Sequence, residues 1–351
     1  MPVEIGNVKI YVGPKETGGP DDLKKAIIDF IDGAQRYLDI AVQELDNWEI
    51  ADAIIRARQR KVTVNIVKEA DYLRSTPGLK DPYTPGGSLE ANREINNALN
   101  RANINVKTDY NTSIFHQKFI IRDRSALLTG STNFTTTGVT KNLNHIVTVE
   151  NIDIAKIYRK EYNEIMQGHF GKLNEGHDEA PKDIMVDNVP VRILFAPDHN
   201  PEMEIMKQML KASSSIDFAI FTFSQSSGID DTMIAQSERG LKIRGALDGK
   251  AANQVWAATR PVKNAGADLY AIPSSSVIGK LHHKLMVLDG QVIIAGSFNY
   301  TGPANRLNDE NIIILGDLEC DDPQVIKNQK ELGKYALNEI ERIIGLGNKI
   351  D

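Results

Sequence analysis

The chain of 351 residues contains a single cysteine, Cys320. One thiol excludes an internal disulfide framework and any zinc site built on cysteines. Cys320 is expected to be a buried or inert thiol. Long hydrophobic runs are also missing. No stretch approaches the roughly 18 apolar residues of a membrane helix, so no stable membrane insertion is expected. The opening residues, Met1-Pro2-Val3-Glu4-Ile5-Gly6, lack the basic and apolar segments of a secretory leader, and a cytoplasmic location is expected on that basis. Positive charge is not in excess: the net charge is −6. That argues against a uniformly basic nucleic-acid binder but leaves room for a local basic cleft. Apolar residues make up 41% and charged residues 25%, the balance of an ordinary globular protein.

What the chain does contain is a repetition. Leu281-His282-His283-Lys284-Leu285-Met286-Val287-Leu288-Asp289 is followed by Gly290, the apolar run Val292-Ile293-Ile294-Ala295, and Gly296-Ser297-Phe298-Asn299-Tyr300-Thr301. An earlier stretch reads Phe115-His116-Gln117-Lys118-Phe119-Ile120-Ile121-Arg122-Asp123, then a short apolar run and Gly130-Ser131-Thr132-Asn133-Phe134-Thr135. Both fit His-x-Lys-x4-Asp followed by Gly-Ser-x-Asn. The two copies align without a gap at a constant offset of 166 residues. A single His-x-Lys pair usually marks a solvated strand face. Here the period of 2 puts His and Lys on one strand face, with Gln117 or His283 on the other. Polar side chains set twice among β-branched apolar residues need a reason to be desolvated, and a shared active site supplies one.

The rest of the chain duplicates in the same way. Strands expected at 8–12, 37–42, 62–67, 104–106 and 146–149 are answered at 191–195, 215–220, 242–247, 267–270 and 312–315. Helices expected near 22–34, 49–60, 91–102 and 154–167 are answered near 201–212, 230–239, 254–265 and 322–344. Alternating strands and helices imply sheets covered by helices on both faces. The repeat offset falls from 183 at the first strand to 166 at the motif, so the first half carries extra residues. The Pro- and Gly-rich Tyr72–Leu89 segment is the place for them, as a tolerated surface insertion or a substrate lid. Gly168–Val189 reads as the joint between halves. His169, His177 and His199 lie in or near it and read as surface histidines.

With the doubled motif on the page, the chain resembles the phospholipase D superfamily over nearly its whole length. The resemblance implies an α/β fold: two tandem α-β-α sandwich halves with mixed sheets flanked by helices, related by a pseudo-twofold axis. The halves would span 1–170 and 190–351, with 171–189 as linker. It also implies a metal-independent phosphodiesterase working through a phosphohistidine, with no cofactor and no metal. One neutral imidazole attacks phosphorus while the other, protonated, gives its proton to the leaving oxygen. By the family's habit His116 is the nucleophile and His282 the acid. Lys118, Lys284, Asn133 and Asn299 would donate to the phosphate oxygens, with Lys280 adding positive charge. Ser131 and Ser297 would help by hydrogen bonding or shape the turn. Asp123 and Asp289 complete the motif and are expected either to support the site or to close a turn.

The family often places a Glu about a dozen residues after Gly-Ser-x-Asn to orient a histidine. Glu310 fits in the second half; in the first, His145 falls there. His283 is expected to be structural. The motif stretches resemble the nuclease branch of the superfamily, so DNA or RNA is the expected substrate. The alternatives are phospholipid, as a phospholipase D or phosphatidyl transferase, and a non-catalytic nucleic-acid-binding module. The site should be complete within one chain, whatever its oligomeric state. Asn133-Phe134-Thr135 and Asn299-Tyr300-Thr301 match glycosylation acceptors, but their place in the motif favours an active-site role.

Overall fold

The computed structural model describes residues 2–73, 89–174, 176 and 179–351. Most of the Tyr72–Leu89 segment, and His177, lie outside the described residues.

The first sheet contains β1 (Val3–Ile5), β2 (Val8–Gly13), β3 (Tyr37–Val42), β4 (Thr63–Lys68), β5 (Asn105–Thr108), β6 (Lys118–Arg122), β7 (Ala126–Gly130) and β8 (Asn144–Glu150). Its strand order is β1-β2-β8-β7-β6-β3-β4-β5. The second sheet contains β9 (Ile184–Val186), β10 (Val189–Ala196), β11 (Ser215–Ile220), β12 (Lys242–Asp248), β13 (Asp268–Ile272), β14 (Lys284–Leu288), β15 (Val292–Gly296), β16 (Glu310–Leu315) and β17 (Asn348–Lys349). Its order is β17-β13-β12-β11-β14-β15-β16-β10-β9. Both sheets are mixed. β3 runs parallel to β4 and antiparallel to β6; β11 runs parallel to β12 and antiparallel to β14. The two motif strands, β6 and β14, therefore occupy the same place in each sheet.

The helices are α1 (Leu23–Asp32), α2 (Trp48–Gln59), α3 (Glu90–Arg101), α4 (Thr136–Thr140), α5 (Ile152–Gln167), α6 (Pro201–Lys211), α7 (Gly228–Glu238), α8 (Gly249–Ala252), α9 (Thr259–Asn264), α10 (Gly302–Arg306) and α11 (Pro323–Ile344). Several starts follow from a side-chain oxygen that satisfies an orphan N–H: Asp22 caps α1, Asn47 caps α2 and Asn151 caps α5. Thr135 and Thr301 cap α4 and α10. The threonines of the two glycosylation-like triplets thus have a backbone role.

Three apolar layers result. The outer face of the first sheet packs on α1, α2 and α3, and that of the second on α6, α7 and α9. Between the sheets lies one shared core, built from both inner faces with Tyr158 and Ile165 of α5 and Leu332 and Ile340 of α11. Each half thus has its own outer layer, and the two share the layer between the sheets. The joint is also more ordered than a plain linker, since β9 pairs antiparallel with β10.

Two expectations change here. The single helix expected at 254–265 is instead a loop to Ala258 followed by the short α9. Pro261 has no N–H to bond the Ala257 carbonyl, so a continuous helix cannot run through. His199 is not a surface residue: its side chain is 3% exposed and sits 3.1 Å from Asp198. Its Nδ1 accepts from the Phe195 N–H.

Asp123 and Asp289 are turn residues. The Asp289 carboxylate accepts the N–H groups of Ser213, Ser214 and Ser215 at 2.8–2.9 Å and two serine hydroxyls. Asp123 does the same for Gln35, Arg36 and Tyr37. Each ties the end of the motif strand to the start of β3 or β11, away from the histidines. Partial burial alone would raise both carboxyls, but the N–H bonds win and hold them below the usual range.

Asp289→Ala should therefore cost stability, about 2 kcal/mol at neutral pH by denaturant midpoint, with little change in kcat/KM. A depressed carboxylate stabilises above its unfolded pKa, and that contribution is lost as pH falls below about 4. The variant should lack that part of the acid limb. A large loss of turnover with unchanged stability would restore Asp289 to the chemistry.

Candidate active site

The pseudo-twofold axis is visible in hydrogen bonds. The His116 N–H donates to the Asp309 carbonyl at 3.0 Å, and the His282 N–H to the Leu143 carbonyl at 2.9 Å. Two isolated parallel bridges, Phe115 with Asp309 and Leu143 with Leu281, cross between the halves. Each pair is the other displaced by 166 residues and exchanged between halves. The residue ahead of each histidine is held the same way twice. The Phe115 N–H donates to Glu69 and the Leu281 N–H to Asp248. Both motif strands therefore meet at the seam between the halves, where His116 and His282 are 6% and 4% exposed.

The glycine of Gly-Ser-x-Asn is needed for close approach. Gly130 and Gly296 have φ of 154° and 143°. A Cβ there would come within 2.3 Å of the His145 or Asn311 carbonyl oxygen. That approach turns the next serine inward rather than toward substrate. Ser297 Oγ donates to Glu310 Oε2 at 2.6 Å, and Ser131 Oγ to Asn144 Oδ1 at 2.7 Å. Both serines are fully buried. The expected contact with phosphate is thus replaced by a role in holding the groups behind the histidines.

Those groups are crossed between the halves. His116 Nδ1 lies 2.7 Å from Glu310 Oε2, in the other half. His282 Nδ1 lies 3.0 Å from Asn144 Oδ1, again in the other half. Asn144, not His145, is the mate of Glu310 at the 166-residue offset. The Asn144 amide donates through Nδ2 to the Gly138 and Asn142 carbonyls. Its Oδ1 must therefore accept, and His282 Nδ1 must carry the proton. Glu310 as a carboxylate asks the same of His116. Each Nε2 is then left for the pocket.

His145 stands elsewhere. It stacks on His283 with ring centroids 5.3 Å apart and planes 14° apart. Its Nε2 accepts from the Gly296 N–H, and its Nδ1 lies 3.1 Å from His283 Nδ1. The mates of this pair, Asn311 and Gln117, bond at 2.6 Å. His283 is structural, as its place on the strand implies, and it faces Glu339 at 3.5 Å.

Lys118 and Lys284 are buried beside the histidines. Lys118 donates to the His116 carbonyl and to Gln43 Oε1; Lys284 donates to the His282 carbonyl. Asn133 Nδ2 also donates to Gln43. Phe221 fills the place that Gln43 has in the first half. Its ring lies 5.1 Å from His282, with Lys280 and Lys284 at 4.9 and 5.2 Å. Gln43, Phe221, Glu69, Asp248 and Asn144 were not singled out from sequence. Asn144 alone had a usable signal, the constant offset.

Burial and the neighbouring lysines push both catalytic-type imidazoles well below 6.5. Burial brings Lys118 down to about 7 and Lys284 well below its ordinary value. The same burial raises the Glu310 carboxyl to about 8, against the pull of Lys118. Burial thus disfavours each of these charges; an anion placed among them would favour the lysine and histidine cations while leaving the Glu310 carboxyl raised.

Two half-sites that each bring an imidazole and a lysine together at the seam between the halves are the arrangement of the phospholipase D superfamily. The chain belongs to the family described as "Cardiolipin synthase, PLD-like domain", which matches residues 27–166 and 205–328. It is 33% identical to the mitochondrial cardiolipin hydrolase of Xenopus tropicalis over 31% of this chain and 50% of that protein. It is 31% identical to a phospholipase D of Rickettsia conorii over 37% of this chain and 62% of that protein. The chain thus spans about half the length of the curated relatives it matches. The crystal structure of phosphatidylserine synthase from Haemophilus influenzae Rd KW20 aligns with a TM-score of 0.67, covering 100% of this chain and 88% of that one at 13% identity. That likeness shows a shared two-half fold.

Sulfate binding tests the electrostatics, since sulfate keeps its charge across the range where histidine titrates. Burial and the neighbouring lysines hold His282 neutral at pH 7, and a bound dianion favours the cation and raises its pKa. Binding should therefore take up a proton and tighten as pH falls from about 8 to 5. Calorimetry in buffers of different ionisation enthalpy reads the uptake; proton release would contradict the assignment. Glu310→Gln should lower kcat about 100-fold or more, and Asn144→Ala by less, because Asn144 orients without carrying charge.

Proposed function

We propose that the protein is a lipid phosphodiesterase that moves the phosphatidyl group of a phospholipid to water or to an alcohol through His116. The observation that carries the mechanism is the crossed pair of Nδ1 partners. Glu310 accepts the His116 Nδ1 proton, which leaves a lone pair on Nε2 and stabilises the positive charge that grows when Nε2 bonds to phosphorus. Asn144 is neutral and offers His282 no such help, so the His282 cation stays the more acidic and the readier proton donor.

In the first step the His116 Nε2–P bond forms and the bond from phosphorus to the leaving oxygen breaks. His282 Nε2 gives that oxygen its proton. In the second step water or an alcohol attacks phosphorus, His282 takes its proton, and the N–P bond breaks. Lys118, Lys284, Asn133 and Asn299 face the non-bridging oxygens.

Lipid replaces nucleic acid as the first substrate. The motif stretches point to the nuclease branch, but the matching family and the curated relatives carry lipid names, and these support the alternative. The net charge of −6 agrees with a site whose cations are confined to the pocket.

Purified protein offered phosphatidyl lipid, DNA and RNA in EDTA should cleave the lipid. His116→Asn and His282→Asn should each lower that turnover by about a thousandfold or more. Cleavage of nucleic acid with the lipid untouched would overturn the reading.

A further inference from the structure

Outside the histidine pocket, the second half carries a pair of adjoining cavities. The inner one, of about 390 Å³, is lined by Phe221, Asp248, Lys250, Trp256, Gly279 and Lys280. It adjoins the reaction centre through two of its walls: Phe221 packs on His282 and Asp248 holds the Leu281 N–H. The outer one, of about 560 Å³, is lined by Thr222, Ser224, Val255, Trp256, Thr301 and Pro303. The two share Thr222 and Trp256. One path thus runs from the catalytic-type histidines, past Lys280, to an outer groove walled largely by carbon.

The rim of that path is apolar and open to water. Val255 is 97% exposed and Trp256 45%. A large aromatic and a branched side chain side by side at one opening mark a binding surface rather than scattered surface residues. The lip is also preformed. The Trp256 carbonyl accepts the Gln225 N–H at 3.0 Å, and the Phe223 carbonyl accepts the Ala258 N–H at 3.1 Å. Gln225 Nε2 adds bonds to the Val255 and Ala257 carbonyls. Val255 and Trp256 thus sit in the loop between α8 and α9, pinned across the groove, instead of on a helix face.

The order of polarity along the path matches one kind of molecule: anionic at the histidine end, where Lys280 sits, and apolar beyond Trp256. Building on the lipid reading above, we propose that the groove at Thr222, Val255, Trp256 and Pro303 is an acyl subsite, holding one fatty chain of a phospholipid whose phosphate lies between His116 and His282. Trp48 of the first half lies at the start of α2, away from any such loop.

The chain has two tryptophans, Trp48 and Trp256, so Trp48→Phe makes Trp256 a sole reporter. With His116→Asn added to block turnover, Trp256 emission should be quenched by vesicles of phosphatidyl lipid with brominated acyl chains. No quenching, or equal quenching by a single-stranded oligonucleotide stacking on the ring, would overturn the subsite. In turnover, monomeric short-chain phosphatidyl esters should gain about fourfold in kcat/KM per added methylene until the groove is full. Trp256→Ala should flatten that series at least tenfold. A flat wild-type series with the esters still cleaved would remove the acyl subsite alone. If no ester is cleaved, the lipid reading itself fails, and the quenching then decides whether the groove takes an acyl chain.

Discussion

The structure depends on a reciprocal strand contact at the pseudo-twofold axis. The His116 N–H reaches Asp309 in the second half, and the His282 N–H reaches Leu143 in the first. These two bonds set the halves in register with each other. With that register, Glu310 falls behind His116 and Asn144 behind His282. A slip of one residue would bring His145 or Asn311 to those places and turn the pocket side chains into the core. The shared core of both inner sheet faces with α5 and α11 makes such a slip costly, since every inward residue would have to exchange faces.

Duplication gives the pocket its symmetry, and a few departures give it direction. Glu310 stands opposite Asn144, and Gln43 opposite Phe221. The first exchange puts a carboxyl behind one imidazole and a neutral amide behind the other. The second gives one side of the pocket an amide that bonds Lys118 and Asn133, and the other an aromatic face beside Lys280 and Lys284. The cationic residues are held where burial opposes their charge. Lys118 falls to about 7, and Lys68 nearby, fully buried, to about 8. Such a site gains most of its positive charge when an anion arrives. That is how an acidic chain can receive an anion without a basic surface.

Much of this was legible in the sequence. The doubled His-x-Lys-x4-Asp and Gly-Ser-x-Asn stretches, the order of strands and helices, and Glu310 were all readable, because repeats and periodicity are local signals. The rest was lost for identifiable reasons. His145 was read in place of Asn144 because imidazole is the more conspicuous side chain; the offset of 166 points to the amide. The crossing of the Nδ1 partners has no local trace, since nothing near His116 says which half supplies its carboxylate. Ser131 and Ser297 point inward only because a glycine with positive φ precedes each. Asp123 and Asp289 sit in the motif by spacing yet close turns by contact. The expected helix at 254–265 hid the loop that carries Val255 and Trp256, although Pro261 was there to break it.

The central claim is that two half-sites act as one centre, with His116 as the group that bonds phosphorus. Turnover of a labelled phosphodiester, quenched rapidly in alkali and mapped by mass spectrometry, reads this directly. The account predicts label on His116 alone, absent in His116→Asn and retained at a slowed rate of formation in His282→Asn. Label on His282, or label on each histidine independently of the other, would contradict it.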